Sequence, residues 1–155
     1  MMGRVVKAGL LAVGLLVAGL PLSSGGGEAS AQVVFRHPLD DRPLDVELPE
    51  GEAATEAVRR FHETGENLYV GDPEAVAEGK RLYQRFCQAC HLPDAAGRIG
   101  PNLVDEAFKY PRNGTDVGYF ETIHGGAAGA MQAFGNRLGQ DEILAVIAYI
   151  HSLAE

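Results

Sequence analysis

Apolar and polar positions follow several distinct rhythms along this chain, and each rhythm predicts a different kind of segment. The first is an unbroken apolar run, Ala8 to Leu20, with Arg4 and Lys7 before it and Ala29-Ser30-Ala31 after it. A basic start, an apolar core and a small-x-small site together make a secretory leader, so residues 1–31 are expected to be removed and the mature chain to begin near Gln32. A retained anchor is the alternative, but the run is shorter than the roughly 20 residues that cross a bilayer. No later run is long and apolar enough to span, which leaves a mature protein without a membrane helix, expected in the periplasm.

From Gln32 to about Gly51 the pattern loses its rhythm, and Pro38, Pro43 and Pro49 mix with Asp40, Asp41, Asp45, Glu47 and Glu50. This reads as an extended arm. Brief alternation in Val33-Val34-Phe35 and in Leu44 to Leu48 predicts a short pair of strands. A short helix is expected from Thr55 to Glu63, stopping before Gly65. Asp72-Pro73 supplies a capping side chain and a proline at the first helical position. Behind it Val76, Gly79, Leu82, Tyr83 and Phe86 recur at three- and four-residue spacing and predict a helix to about Phe86. Val117, Phe120, Glu121 and His124 predict a central helix from Asp116 to His124, with Asn113-Gly114-Thr115 as a turn, Asp116 as cap and Gly125 as stop. Ile143, Val146, Ile147, Ile150 and Leu153 predict a last helix from Asp141 to Leu153, expected to cross the first. The chain therefore divides into a leader at 1–31, an extended arm with a short helix at 32–70, and a helical domain at 71–155.

Three main helices in about 85 residues make a marginal core by surface-to-volume scaling, so something else should complete it. Cys87-Gln-Ala-Cys90-His91 stands directly after the first of these helices. C-x-x-C-H is the attachment signature of a c-type haem, in which the two thiols form thioethers to the ring and the histidine binds iron. A zinc site would need a second Cys or His pair at matching spacing, and a thioredoxin-like dithiol would need a βαβ pattern; neither follows. One covalently held haem c then becomes the missing apolar centre, packed by Leu82, Phe86, Leu103, Phe120 and Ile147. The chain without it is expected to fold poorly.

Met1 and Met2 fall in the leader, so the sixth iron ligand, if a thioether, is Met131. It ends the run Gly125-Gly126-Ala127-Ala128-Gly129-Ala130-Met131, whose lack of bulk would let backbone approach the ring. The rival ligands are His124, which precedes the same loop, and His37, His62 and His151, although a solvated surface role is commoner for any of them. The full chain has a formal charge of −8, and without residues 1–31 it holds 11 basic against 20 acidic side chains. That balance argues against a nucleic-acid partner and favours one with a positive patch. No phosphate loop, dinucleotide fingerprint or Ser/His/Asp arrangement is present.

Gly100-Pro101-Asn102-Leu103, Tyr110-Pro111, Asn113, Thr115-Asp116-Val117-Gly118, Phe120 and the run from Gly125 to Met131 resemble the cytochrome c-L family. Phe61, the stretch Glu63 to Tyr69, and Asp141-Glu142-Ile143-Leu144 are similar too, so the resemblance covers roughly residues 60 to 153. The family often has Gly, Asn and Trp where this chain has Asn102, Val104 and Phe108, and the chain contains no Trp. The resemblance implies an all-α, class-I-like cytochrome c fold with three main helices around one haem, and an extended N-terminal arm. It implies Cys87 and Cys90 as attachment points and His91 and Met131 as axial ligands. It also implies a monomeric periplasmic carrier, not an enzyme, that accepts electrons from a PQQ-dependent methanol dehydrogenase, including the lanthanide-dependent type, and hands them to a downstream cytochrome or oxidase. Two other readings compete: a haem subunit or relay of another oxidoreductase complex, and a haem enzyme or sensor with an open sixth position.

Overall fold

The computed structural model describes Gly3 and residues 32–48, 50 and 54–154. The leader assigned to residues 1–31 lies outside them apart from Gly3. Among the described residues the chain is helical, in the order α1 (Glu56–Thr64), α2 (Pro73–Phe86), the single turn α3 (Gln88–His91), a 3-10 turn (Pro111–Gly114), α4 (Asp116–Gly125) and α5 (Gln140–Ala154). No helix among them is long and apolar enough to cross a membrane.

The helix starts follow from side-chain caps. Thr55 accepts from the Val58 N–H, and Asp72 accepts from the Ala75 N–H with Pro73 behind it. At α4 the cap is Thr115, which accepts from Gly118, so Asp116 is the first helical residue and not the cap expected from the sequence. A hydroxyl held in extended backbone reaches the third N–H as well as a carboxylate does. Gly65 closes α1 at φ 76°, a left-handed turn that its lack of a Cβ permits.

α5 crosses α2 where Gly79 removes a side chain: a Cβ there would lie 1.9 Å from the Ala145 carbonyl oxygen. Tyr83 and Tyr149 then pack with ring centroids 5.3 Å apart. Residues 143–150 of α5 are all buried. The start of α5 is tied back to α1, because Asp141 accepts hydrogen bonds from Thr55 Oγ1 (2.7 Å) and from the Tyr69 hydroxyl (2.6 Å).

The arm joins the same core. Phe35 is 5% exposed and stands 5.9 Å from Phe61 and 5.3 Å from Phe120, centroid to centroid. The Arg36 N–H donates to Glu121 (2.7 Å), a carboxylate 1% exposed that also accepts from the Arg112 guanidinium (2.7 Å from Nε). The strand pair expected here reduces to one antiparallel bridge between Arg36 and Pro43. Pro43 has no N–H to give a ladder, and the turn at 38–40 brings the two segments together for only that one step.

Candidate functional site

The haem-attachment motif takes its shape from the end of α2. The Cys87 N–H donates to Tyr83 O (2.8 Å) and the His91 N–H to Cys87 O (3.0 Å), so Cys87, Cys90 and His91 sit on one continued turn. The next loop then folds back over them, with the N–H groups of Arg98, Ile99 and Gly100 all donating to Cys90 O at 3.1 to 3.2 Å. Gly100 lies flush on the His91 ring, for a Cβ there would be 2.4 Å from His91 Cε1.

His91 is 8% exposed, and its Nδ1 donates to Pro101 O at 2.9 Å. That bond fixes the tautomer and leaves Nε2 as the nitrogen able to bind a metal. A cavity of about 290 Å³ lies beside the ring. Cys87, Cys90, His91 and Met131 all line it, together with Ala127, Ala128, Gly129 and Ala130. The two thiols are free, and burial, then the neighbouring Cys90, pushes the Cys87 thiol up to about 12. A thiol held so far from ionisation is a poor redox dithiol.

The remaining wall is built from Tyr83, Phe86, Leu103, Tyr119, Ile123, Phe134, Val146 and Ile150. Both phenols turn their polar ends away to backbone, Tyr83 to Leu92 O (2.9 Å) and Tyr119 to Leu103 O (2.6 Å). Burial raises both, Tyr119 to about 12, so they stay neutral rings against the cavity. Buried Asn113 and Thr122 add one polar patch, joined by a 2.9 Å hydrogen bond.

The 126–131 segment depends on backbone freedom. Gly126 and Gly129 both have φ near 78°, where a side chain is strained. The segment is pinned by Ala127 N–H to Met131 O (2.9 Å) and by Ala128 N–H to the Tyr110 hydroxyl (3.1 Å).

Among the residues expected to pack the haem, Phe86 and Leu103 line the cavity, whereas Leu82, Phe120 and Ile147 do not. Those three are at most 2% exposed and pack protein against protein. Tyr119, Ile123 and Phe134 were not singled out from the sequence, and Tyr83, Val146 and Ile150 were placed on apolar helix faces but not against the haem. Tyr83 could have been found, because it stands four residues before Cys87 and so shares its helix face.

The rival histidines are directed elsewhere. His124 is stacked on Phe120 at 5.5 Å and 15°, with Gly135 close against the ring, where a Cβ would be 2.5 Å from Nε2. It is neither a cavity residue nor the solvated side chain expected. His62 meets Gln140 (2.6 Å), His151 meets Asp116 (2.6 Å), and the His37 ring accepts from the Leu39 N–H (3.3 Å). Two thiols, an imidazole with a fixed tautomer, a thioether and an apolar wall make a donor set that fits a c-type haem.

Comparison with known proteins agrees with that geometry. Residues 74–150 match the family described as cytochrome c oxidase, cbb3-type, subunit III. Cytochrome c-L of Methylorubrum extorquens AM1 is 43% identical over 157 residues, 99% of this chain and 79% of that protein. The crystal structure of cytochrome cL from the marine methylotrophic bacterium Methylophaga aminisulfidivorans MPT superposes with a TM-score of 0.74 at 43% identity, covering 78% of this chain and 81% of that one. That of cytochrome cL from Hyphomicrobium denitrificans gives 0.72 at 40% identity, covering 77% and 73%. On this identity and coverage the chain belongs to the cytochrome c-L family, as a class-I-like mono-haem cytochrome c that carries electrons on a covalently bound haem c and is not an enzyme.

Proposed function

We propose that the protein is a monomeric periplasmic carrier that takes single electrons from a PQQ-dependent alcohol dehydrogenase, methanol-oxidising by its family, and delivers them to a downstream cytochrome or oxidase. Cys87 and Cys90 would hold the haem through thioether bonds, and His91 and Met131 would bind its iron. Residues 1–31 export the chain, 32–70 form the arm, and 71–155 form the haem domain. The observation that carries this reading is the convergence of both thiols, the Nδ1-anchored imidazole and the Met131 segment on one cavity.

The bound haem supplies a one-electron couple at iron, and the chain's work is to hold and shield it. Pro101 O orients the imidazole, the apolar wall limits water, and a thioether sixth ligand favours the reduced state relative to a second nitrogen. With His91 and Met131 both held by the chain, a bound iron would change oxidation state with little movement of its ligands. Docking to the dehydrogenase should be small and transient, below about 1,200 Å² of buried surface, and steered by the acidic surface.

The test is stopped-flow reduction of the purified holoprotein by a PQQ methanol dehydrogenase at low and high salt. Rapid reduction that slows with salt is expected. Reduction no faster than that of an unrelated c-type cytochrome removes the specific donor. A second reading, a haem relay bound in another oxidoreductase complex, is favoured by the match of residues 74–150 to a cbb3-type oxidase subunit. Stoichiometric co-purification with such a complex would support it.

A further inference from the structure

The Met131 segment is thin, with nothing larger than a methyl side chain from Gly125 to Ala130. Its own packing therefore does little to keep the sulfur in place. The next residues bring a side chain that can. Arg137 lies in the turn that follows Phe134, with its backbone N–H donating to Phe134 O (2.8 Å). Its guanidinium stands over two rings at once, 5.3 Å from the Phe134 centroid and 5.4 Å from that of Phe86. Its Nη1 also donates to Gln132 Oε1 (3.1 Å). The two rings meet edge to face with centroids 6.1 Å apart. Phe86, Gln132 and Phe134 all line the cavity.

One cation thus touches the residue immediately before Cys87 and the residue immediately after Met131. We propose that Arg137 is a positioning residue that ties the Met131 segment to the haem-attachment end of α2 through Gln132 and the Phe86–Phe134 pair, and so holds the sixth ligand closed. This rests on the reading of Met131 as a ligand. Arg85 is the internal control. It also stands over Phe86, 5.0 Å from the centroid, but among the described residues makes no hydrogen bond to the Met131 segment. The planar guanidinium is suited to the task, since it stacks on two faces while its edge donates a hydrogen bond.

The experiment titrates oxidised holoprotein with imidazole, which binds only when the native sixth ligand leaves, and follows the near-infrared sulfur-to-iron band in parallel. Arg137→Ala should bind imidazole at least about tenfold more tightly than wild type, the low end of what two exposed cation–π contacts and a hydrogen bond contribute together. Arg85→Ala should bind as wild type does, and both variants should keep the thermal unfolding midpoint within a few degrees. Unchanged imidazole affinity in Arg137→Ala overturns the proposal, and so does an equal gain in Arg85→Ala, which would make the effect one of general stacking. Met131→Ala separates the two levels of the argument. If it leaves the near-infrared band and imidazole affinity of the wild type intact, the ligand reading fails first.

Discussion

At the scale of single residues, His124 illustrates how burial changes a titrating group. Its ring is stacked on Phe120 and approached closely by Gly135, its Nδ1 is buried with no hydrogen-bond partner among the described residues, and burial lowers its pKa. The charged form is therefore refused by the folded state and accepted by the unfolded one. Below the ordinary histidine value of about 6.5 the unfolded chain binds a proton that the native ring does not, so stability falls as pH drops until the depressed native value is passed. Urea midpoints measured between pH 7.5 and 5 should decline in the wild type, and a His124→Phe variant, which keeps the stack on Phe120, should show a shallower decline. Equal slopes in the two proteins would locate the effect elsewhere.

At the scale of helices, the crossing of α2 and α5 depends on one missing methyl. A Cβ at position 79 would fall 1.9 Å from the Ala145 carbonyl oxygen, and that atom belongs to helix backbone that cannot yield locally. Gly79→Ala should raise helix propensity by about 1 kcal/mol yet lower net stability by roughly 1–3 kcal/mol, because the helices must part. A thermal melt reads the sign directly: a higher midpoint would contradict the close crossing. The start of α2 and the end of α1 were legible in the sequence because their signals are local. Asp72-Pro73 and Gly65 act within one turn of themselves and are seated as expected. That the arm's expected strand pair reduces to a single bridge was not legible, since alternation in Val33 to Phe35 marks residues that enter a core and says nothing of how long two segments stay paired. The faces of α4 and α5 misled for a related reason. Residues 118–123 and 143–150 are buried all round, so an apolar stripe at helical spacing cannot tell the side that meets the haem cavity from the side that meets protein. Phe120 and Ile147 fell on the wrong side by that ambiguity, while Cys87, Cys90, His91 and Met131, singled out by chemistry and not by periodicity, all line the cavity.

At the scale of the whole molecule, the cavity is the organising volume. Residues of α2, α3, α4 and α5 and of the segments 99–110 and 127–134 converge on it, and it is lined mostly by apolar groups. A domain of this size with such a hollow at its centre lacks the contacts that would hold its helices in one arrangement. A Cys87→Ala/Cys90→Ala double variant, made without haem, should retain much of its far-ultraviolet circular dichroism while losing the near-ultraviolet signal and the sharp unfolding transition. Retention of a cooperative transition at the holoprotein midpoint would show that the protein core suffices. The arm is fastened to this assembly in a way that tells how it can vary. Glu121 grips the main-chain N–H of Arg36, whereas the Arg36 side chain reaches outward to Asp41. The clasp is blind to which amino acid stands at position 36, proline excepted, so evolution can repaint that surface freely while the acid beneath it stays under constraint.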